Sequence, residues 1–182
     1  MINIISDTCV GAALTRDVLK QQYINPFCWS IIDSHSMAIL INEYDTLNYN
    51  NFIIKQSSKE KRFDLIIDNK IKILYEHYLY DSNINEFKVV KNNVYSKHIK
   101  EYIIEKYKKR LKLNNKPLFI IGHTYFPDKP RKSKYENIIL KNTNNYPMIV
   151  ILNTKNEFDY FKKYETDNIK IYLTNLKTII LN

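Results

Sequence analysis

Three residues of this 182-residue chain combine a reactive side chain with a position just after a short apolar run: Cys9 in SDTCVG, His35 in DSHS and His123 in GHTYFPD. A thiol beside an imidazole is the pairing that thiolate catalysis requires, because the histidine removes the proton and leaves sulfur as the nucleophile. The pattern predicts Cys9 at or just before a helix N-terminus, where free N–H groups and the helix dipole stabilise negative charge and lower a thiol pKa. The same amides suit an oxyanion or a phosphate, so one turn supports two chemistries. The plainer account is that a lone cysteine at a strand end is a small buried hydrophobe. Cys28, within FCWSII, reads as core; His98 reads as a surface residue, and His77 in KILYEHYLY is a further histidine candidate.

The chain has only two glycines, Gly11 two residues after Cys9 and Gly122 immediately before His123. Glycine in a composition so poor in it is expected where the backbone needs positive φ or close approach by a ligand, or in a plain tight turn. No G-x-G-x-x-G, Walker A, C-x-x-C or H-E-x-x-H motif occurs, which argues against dinucleotide, P-loop and zinc-protease chemistry.

The elements that must position these residues follow from periodicity. INIIS, a polar turn with Gly11, and helical spacing at Leu14, Val18 and Leu19 predict strand, turn and helix. After Pro26, FCWSII predicts a second buried strand, and a helix follows to about Tyr44. FIIKQ, FDLIID and KIKILYEHYLY are β-rich runs whose pairing stays open at this level. From about Val94 to Lys112, Ile99, Ile103, Tyr107 and Leu111 recur every four residues opposite Lys and Arg, which predicts a helix. LFII, PMIVIL and IKIYL read as buried strands with helices between them, and Ser133 with Glu136 and Thr154 with Glu157 fit the capping box. Strands alternating with helices predict an α/β fold: one domain over residues 1–182, in three layers, with a largely parallel, Rossmann-like sheet. Ligands in such sheets bind beyond the carboxyl ends of the strands, where Cys9, His35 and His123 fall.

With 45% apolar residues and 13% aromatics, the chain can build its core without disulfides or a structural metal. No run approaches a membrane span, and MINIISDTC lacks the basic start of an export signal. Two cysteines in different contexts then fit free thiols in a cytoplasmic protein. The net charge of +9 is uneven, because residues 88 to 141 hold 15 Lys or Arg against 4 Asp or Glu. Such a stripe can attract phosphates, an anionic lipid surface or nucleic acid, or can simply be a solvated face.

The segment IISDTCVGAALTRDVLKQQYINPF resembles the opening motif of a family of exopolysaccharide biosynthesis proteins, which runs serine, two polar residues, cysteine, aromatic, two glycines, a helix and Asn/Ser-Pro. Ser6, Cys9, Gly11, Asn25 and Pro26 match it, whereas Val10 replaces the aromatic residue and Ala12 the second glycine. His77-Tyr78, Lys109-Arg110 and LFII follow in the order of a second pattern of that family. The family is distantly similar to capsule-cluster proteins proposed to be coenzyme A-binding acyltransferases. The resemblance implies acyl transfer from a coenzyme A thioester such as acetyl-CoA to a sugar or sugar nucleotide. Cys9 would be nucleophile or part of the acyl pocket, and His77 or His123 the general base. Cations between 106 and 132, among them Lys109, Arg110 and Arg131, would clamp the coenzyme phosphates. Ser6, Asp7, Thr8, Gly11, Arg16 and Gly122 complete the expected substrate and cofactor contacts, His35 rests on local context alone, and no metal is expected. Three alternatives remain at this level. One is a glycosyltransferase-like enzyme acting on sugar nucleotides. A second is a serine-esterase-like hydrolase, disfavoured by Thr8 where serine is needed. The third is a non-enzymatic module whose basic helix carries a nucleotide, the periphery of an anionic membrane or RNA, although no RNP motif is present and nucleic acid is not the expected partner.

Overall fold

Four of the apolar runs become one parallel sheet, and the β-rich middle of the chain becomes two antiparallel ones. The computed structural model describes residues 3–7, 18–20, 25–27, 30–57, 62–75, 78–81, 86–89, 94–96, 99–111, 116–122 and 132–173. The parallel sheet consists of β1 (Asn3–Ser6), β9 (Pro117–Gly122), β10 (Met148–Leu152) and β11 (Ile169–Leu173), in that spatial order. The fold is α/β, as the alternation of strands and helices predicts.

Register explains the near-continuous apolar strands. Ile5 pairs with Phe119, Phe119 with Met148 and Met148 with Ile169, so these residues share the face that joins the main core. Ile4 and Ile120 point the other way and are nonetheless 5% and 1% exposed. The sheet is therefore covered on both faces at β1 and β9, which parallel strands require. At the far edge, β11 exposes Lys170 and Tyr172.

The second sheet has the order β2 (Ile31–Ile32), β5 (Ile71–Tyr75), β4 (Arg62–Ile67), β3 (Phe52–Ser57), all antiparallel. Asp68 and Asn69 turn β4 into β5 with φ of 52° each, and the Lys70 N–H donates to Ile67 O at 3.0 Å. Two left-handed residues are what a tight hairpin needs, and Asp and Asn tolerate that region best among residues with a Cβ. A third sheet joins β6 (Tyr78–Asp81), β7 (Glu86–Val89) and β8 (Val94–Ser96). Sequential strands linked by short connections pair as hairpins, so the middle of the chain stays outside the parallel sheet.

Helix α1 (Ser34–Glu43) ties these layers together. It packs on β5 and on α3 (Lys132–Leu140), and the Tyr44 ring at its end meets Phe119 and Tyr146 edge-on. Tyr44 also accepts a hydrogen bond from Asn3 Nδ2 at 2.8 Å. Burial pushes its hydroxyl up to about 12, with the Asn3 bond opposing and Asp45 adding to the rise.

Three sequence expectations need revision. The basic helix α2 spans Ile99–Arg110, not from Val94, because Val94 and Tyr95 are drawn into the ladder opposite Val89 and Lys88. Ile103 and Tyr107 are buried as the four-residue spacing predicts. Within FCWSII, Ile31–Ile32 form a strand and Phe27 belongs to a turn with Asn25, while Cys28 and Trp29 lie outside the described residues. Of the two capping boxes, Thr154 caps α4 (Lys155–Phe161) by accepting from the Glu157 N–H at 3.3 Å. Ser133 lies inside α3, where Glu136 instead accepts the hydroxyls of Tyr160 and Tyr164 and staples α3 to the following crossover.

Two outcomes are expected. Asn3 Oδ1 is buried and has no hydrogen-bond partner among the described residues. Tyr44→Phe would orphan Nδ2 as well and cost about 1–3 kcal/mol in urea denaturation, whereas Asn3→Leu with Tyr44→Phe should recover most of that loss. A Tyr44→Phe protein as stable as wild type would refute the role given to this bond. The hydroxyls of Tyr164 and then Tyr160 hold the Glu136 carboxyl below its ordinary 4.5, with Lys163 helping. A depressed folded value means stability present above pH 4.5 and lost as pH falls through the lowered value. The melting-temperature gap between wild type and Glu136→Gln should therefore be constant at neutral pH and close in acid; a gap that widens in acid contradicts the sign.

Candidate active site

The carboxyl ends of β1 and β9 meet at Asp7. Its N–H donates to Ile120 O at 3.3 Å, its carbonyl accepts the Ile32 N–H at 3.0 Å, and its Oδ1 accepts the Gly122 N–H at 2.9 Å. One residue thus joins β1, β9 and the start of the antiparallel sheet. Ser6, buried opposite Ile120, completes the strand end. Asp7, expected to contact substrate or cofactor, spends one carboxylate oxygen on holding the edge together. Gly122 is buried and has no positive φ, so left-handed backbone is not why glycine stands there. The close approach of the Asp7 carboxylate to its N–H is the feature the position shows.

From Ile32 the chain passes directly into α1. Asp33 is its N-cap, with Oδ1 accepting the Ser36 N–H at 2.9 Å and Oδ2 the Ser36 hydroxyl at 3.0 Å. Ser36 Oγ in turn accepts the Lys72 N–H at 2.9 Å, where the short strand β2 no longer reaches. This helix start is filled by its own aspartate, which leaves it unsuited to a phosphate. His35 is exposed on the first turn of α1, at the same end of the molecule as Asp7 and Gly122.

The structure thus brings together Ser6, Asp7, Gly122 and His35. Cys9, Thr8, Gly11, Arg16, His77, His123 and Arg131 lie outside the described residues. Lys109 and Arg110 fall elsewhere. The Tyr107 hydroxyl donates to Tyr49 O at 2.8 Å, and Leu111 borders the turn after α1, which places the end of α2 beside the amino end of the parallel sheet. The two cations are therefore separated from the Asp7 edge by the length of α1, roughly 15 Å for ten residues.

Two residues of this edge were not among the candidates. Asn25 is buried, donates from Nδ2 to Ile4 O at 2.7 Å and accepts the Phe27 N–H at 2.9 Å. It thereby closes the outer side of β1, and the Asn-Pro turn signal was its mark in the sequence. Asp33 carries an N-cap signature before an apolar helix. Among the described residues no group of three His, Cys, Asp or Glu is placed to hold a metal ion, and no helix is long and apolar enough to cross a membrane. What this edge shows is half-buried Asp7 fixed on Gly122, and an exposed imidazole, His35, on the first turn of the helix that follows Ile32.

Asp7→Ala should leave the buried Gly122 N–H unpaired and cost about 1–3 kcal/mol, while Asp7→Asn keeps an acceptor oxygen and should cost less than half as much in urea denaturation. Equal losses for the two would show that charge, not the hydrogen bond, matters at this junction. No family model, no curated protein and no solved structure matches this chain.

Proposed function

We propose that the chain is a transferase of surface-polysaccharide assembly, moving an acyl group from a coenzyme A thioester to a sugar or sugar nucleotide at the carboxyl edge of the parallel sheet. The observation that carries this reading is the Asp7 to Gly122 hydrogen bond, because Cys9 follows Asp7 by two residues in the chain and His123 follows Gly122 by one. The resemblance of residues 4–27 to the opening of the exopolysaccharide biosynthesis proteins supports it. In this reading the Cys9 thiolate attacks the thioester carbonyl, forms a new thioester and releases coenzyme A as thiolate, which takes up a proton. His123 or His77 then removes the proton of a sugar hydroxyl, whose oxygen attacks the enzyme thioester, forms the ester and frees the Cys9 sulfur. Because Lys109 and Arg110 lie at the other end, the donor phosphates fall in this reading to Arg16 and Arg131. The edge histidine His35 is a second acid–base candidate on the acceptor side.

Thermal stability with acetyl-coenzyme A, free coenzyme A and sugar nucleotides, on wild type and Cys9→Ala, tests this directly, since a bound ligand raises the midpoint by mass action. A rise with acetyl-coenzyme A that Cys9→Ala alters, and that Arg16→Ala or Arg131→Ala abolishes, is the expected result. A rise with sugar nucleotides alone would replace acyl with glycosyl transfer. No rise with any of them would overturn the enzyme reading in favour of a basic binding module.

A further inference from the structure

A sheet edge presents backbone N–H and C=O groups that another strand can bind, and folded chains close such edges with their own side chains and loops. The two four-stranded sheets do so at three places. Beside β1, Asn25 Nδ2 donates to Ile4 O. Along β11, Thr166 gives its N–H to Ile169 O and accepts the Ile169 N–H on Oγ1, and Glu165 accepts the Ile171 N–H at 3.4 Å. On β5, where the short β2 no longer reaches, Ser36 Oγ accepts the Lys72 N–H. The edge at β3 differs. The Asp68 N–H donates to Asn51 O at 2.7 Å, which sets the phase of the β3–β4 ladder: Ile53 and Lys55 bond to β4, whereas Phe52 and Ile54 turn their N–H and C=O groups away from it. No hydrogen bond among the described residues meets those groups.

This open edge is six residues long, holds no proline, and carries Ile53, 42% exposed, next to the exposed Lys55 on its outer face. Free backbone groups at alternate residues call for an extended strand as occupant. The order of side chains in β3 suits a second copy of itself. Two β3 strands paired antiparallel about a two-fold axis at Ile54 use the whole run from Phe52 to Gln56, with Phe52 opposite Gln56 and Ile53 opposite Lys55, each twice. Lysine on an edge discourages pairing where it meets another lysine, but here it faces isoleucine, along which its aliphatic stem can lie. We infer that β3 is the interface between two copies of this chain, joining their antiparallel sheets edge to edge. The contact uses none of the residues assigned to acyl transfer and does not depend on that reading. Confined to one strand, it buries less than a standard interface and belongs to the weak class, with a dissociation constant on the order of 100 µM.

Sedimentation of the full chain between about 10 µM and 1 mM should show monomer passing to dimer and nothing larger, because a two-fold contact closes on itself. Amide exchange followed by NMR locates the contact. The Phe52 and Ile54 N–H groups should exchange fast in dilute samples and slowly in concentrated ones, whereas those of Ile53 and Lys55, already bonded to β4, should be protected in both. Two variants read the register. Ile53→Lys sets lysine opposite lysine twice and Ile53→Glu sets glutamate there, while both lose the same exposed isoleucine. The glutamate variant should therefore dimerise about tenfold more tightly than the lysine variant, with circular dichroism of dilute samples confirming that both fold. Equal affinities for the two variants, or assemblies larger than a dimer, would overturn the pairing. A chain monomeric throughout would overturn it too: with the Phe52 and Ile54 amides slow at every concentration the edge is covered within one chain, and with them fast it is left to a foreign strand.

Discussion

The hydrogen bonds converging on Asp7 are the constraint on which the rest of the arrangement depends. A parallel edge strand offers one side to its neighbour and leaves the other open, and β1 has only four residues with which to hold its place. Its last turn is secured by bonds in three directions: to Ile120 and Gly122 in β9, and to Ile32 at the start of the antiparallel sheet. Asn25 closes the open side further back, at Ile4. Because buried N–H and C=O groups cannot be left unpaired cheaply, the positions of Asn25 and Ile32 are determined by where β1 needs partners. Ile32, bonded to Asp7, leads directly to the start of α1 at the same edge.

Helix α1 then sets the distance between the two ends of the molecule. Its first turn is anchored by Asp33, Ser36 and Lys72, and its last by Tyr44 against Asn3, Phe119 and Tyr146. The tyrosines at that end are held by burial in their neutral form: Tyr49 and Tyr107 are pushed far up, chiefly by desolvation. Each hydroxyl satisfies a backbone carbonyl that an α-helix end or a tight turn leaves without a partner. The many tyrosines of the composition thus act partly as caps for the turn after α1, a role that apolar aromatics cannot fill.

How far the sequence revealed this structure depends on the range of the interaction involved. Parallel strands buried on both faces announce themselves as apolar runs, so LFII, PMIVIL and IKIYL were legible, as were the Thr154 cap and the buried spacing of Ile103 and Tyr107. Val94 and Tyr95 were not, because their pairing with β7 is a tertiary choice that periodicity cannot register. Glu136 was misread for the same reason: spacing from Ser133 fits a cap, but its partners, Tyr160 and Tyr164, come from another helix and the turn after it. At the carboxyl edge the sequence pointed to Ser6, Asp7, Gly122 and His35 together. It offered no hint that Asp7 would be turned onto Gly122, since a carboxylate looks the same in sequence whether it faces a ligand or a neighbouring strand.

The basic segment carries the clearest lesson about mechanism. A count along the chain assigns a large positive charge to residues 88–141, but electrostatic potential sums over space. On α2 the cations are interspersed with Glu101 and Glu105, and Lys106 lies over the Tyr102 ring at 5.5 Å. Lys109 and Arg110 sit beside the turn that holds Asp45 and Asn48, while the carboxyl edge carries Asp7 and Asp33. Charge that is continuous in sequence is therefore divided between helix faces and strand edges. The net charge of the segment therefore does not describe the field at either end of α1, which is set by the few charged side chains placed there.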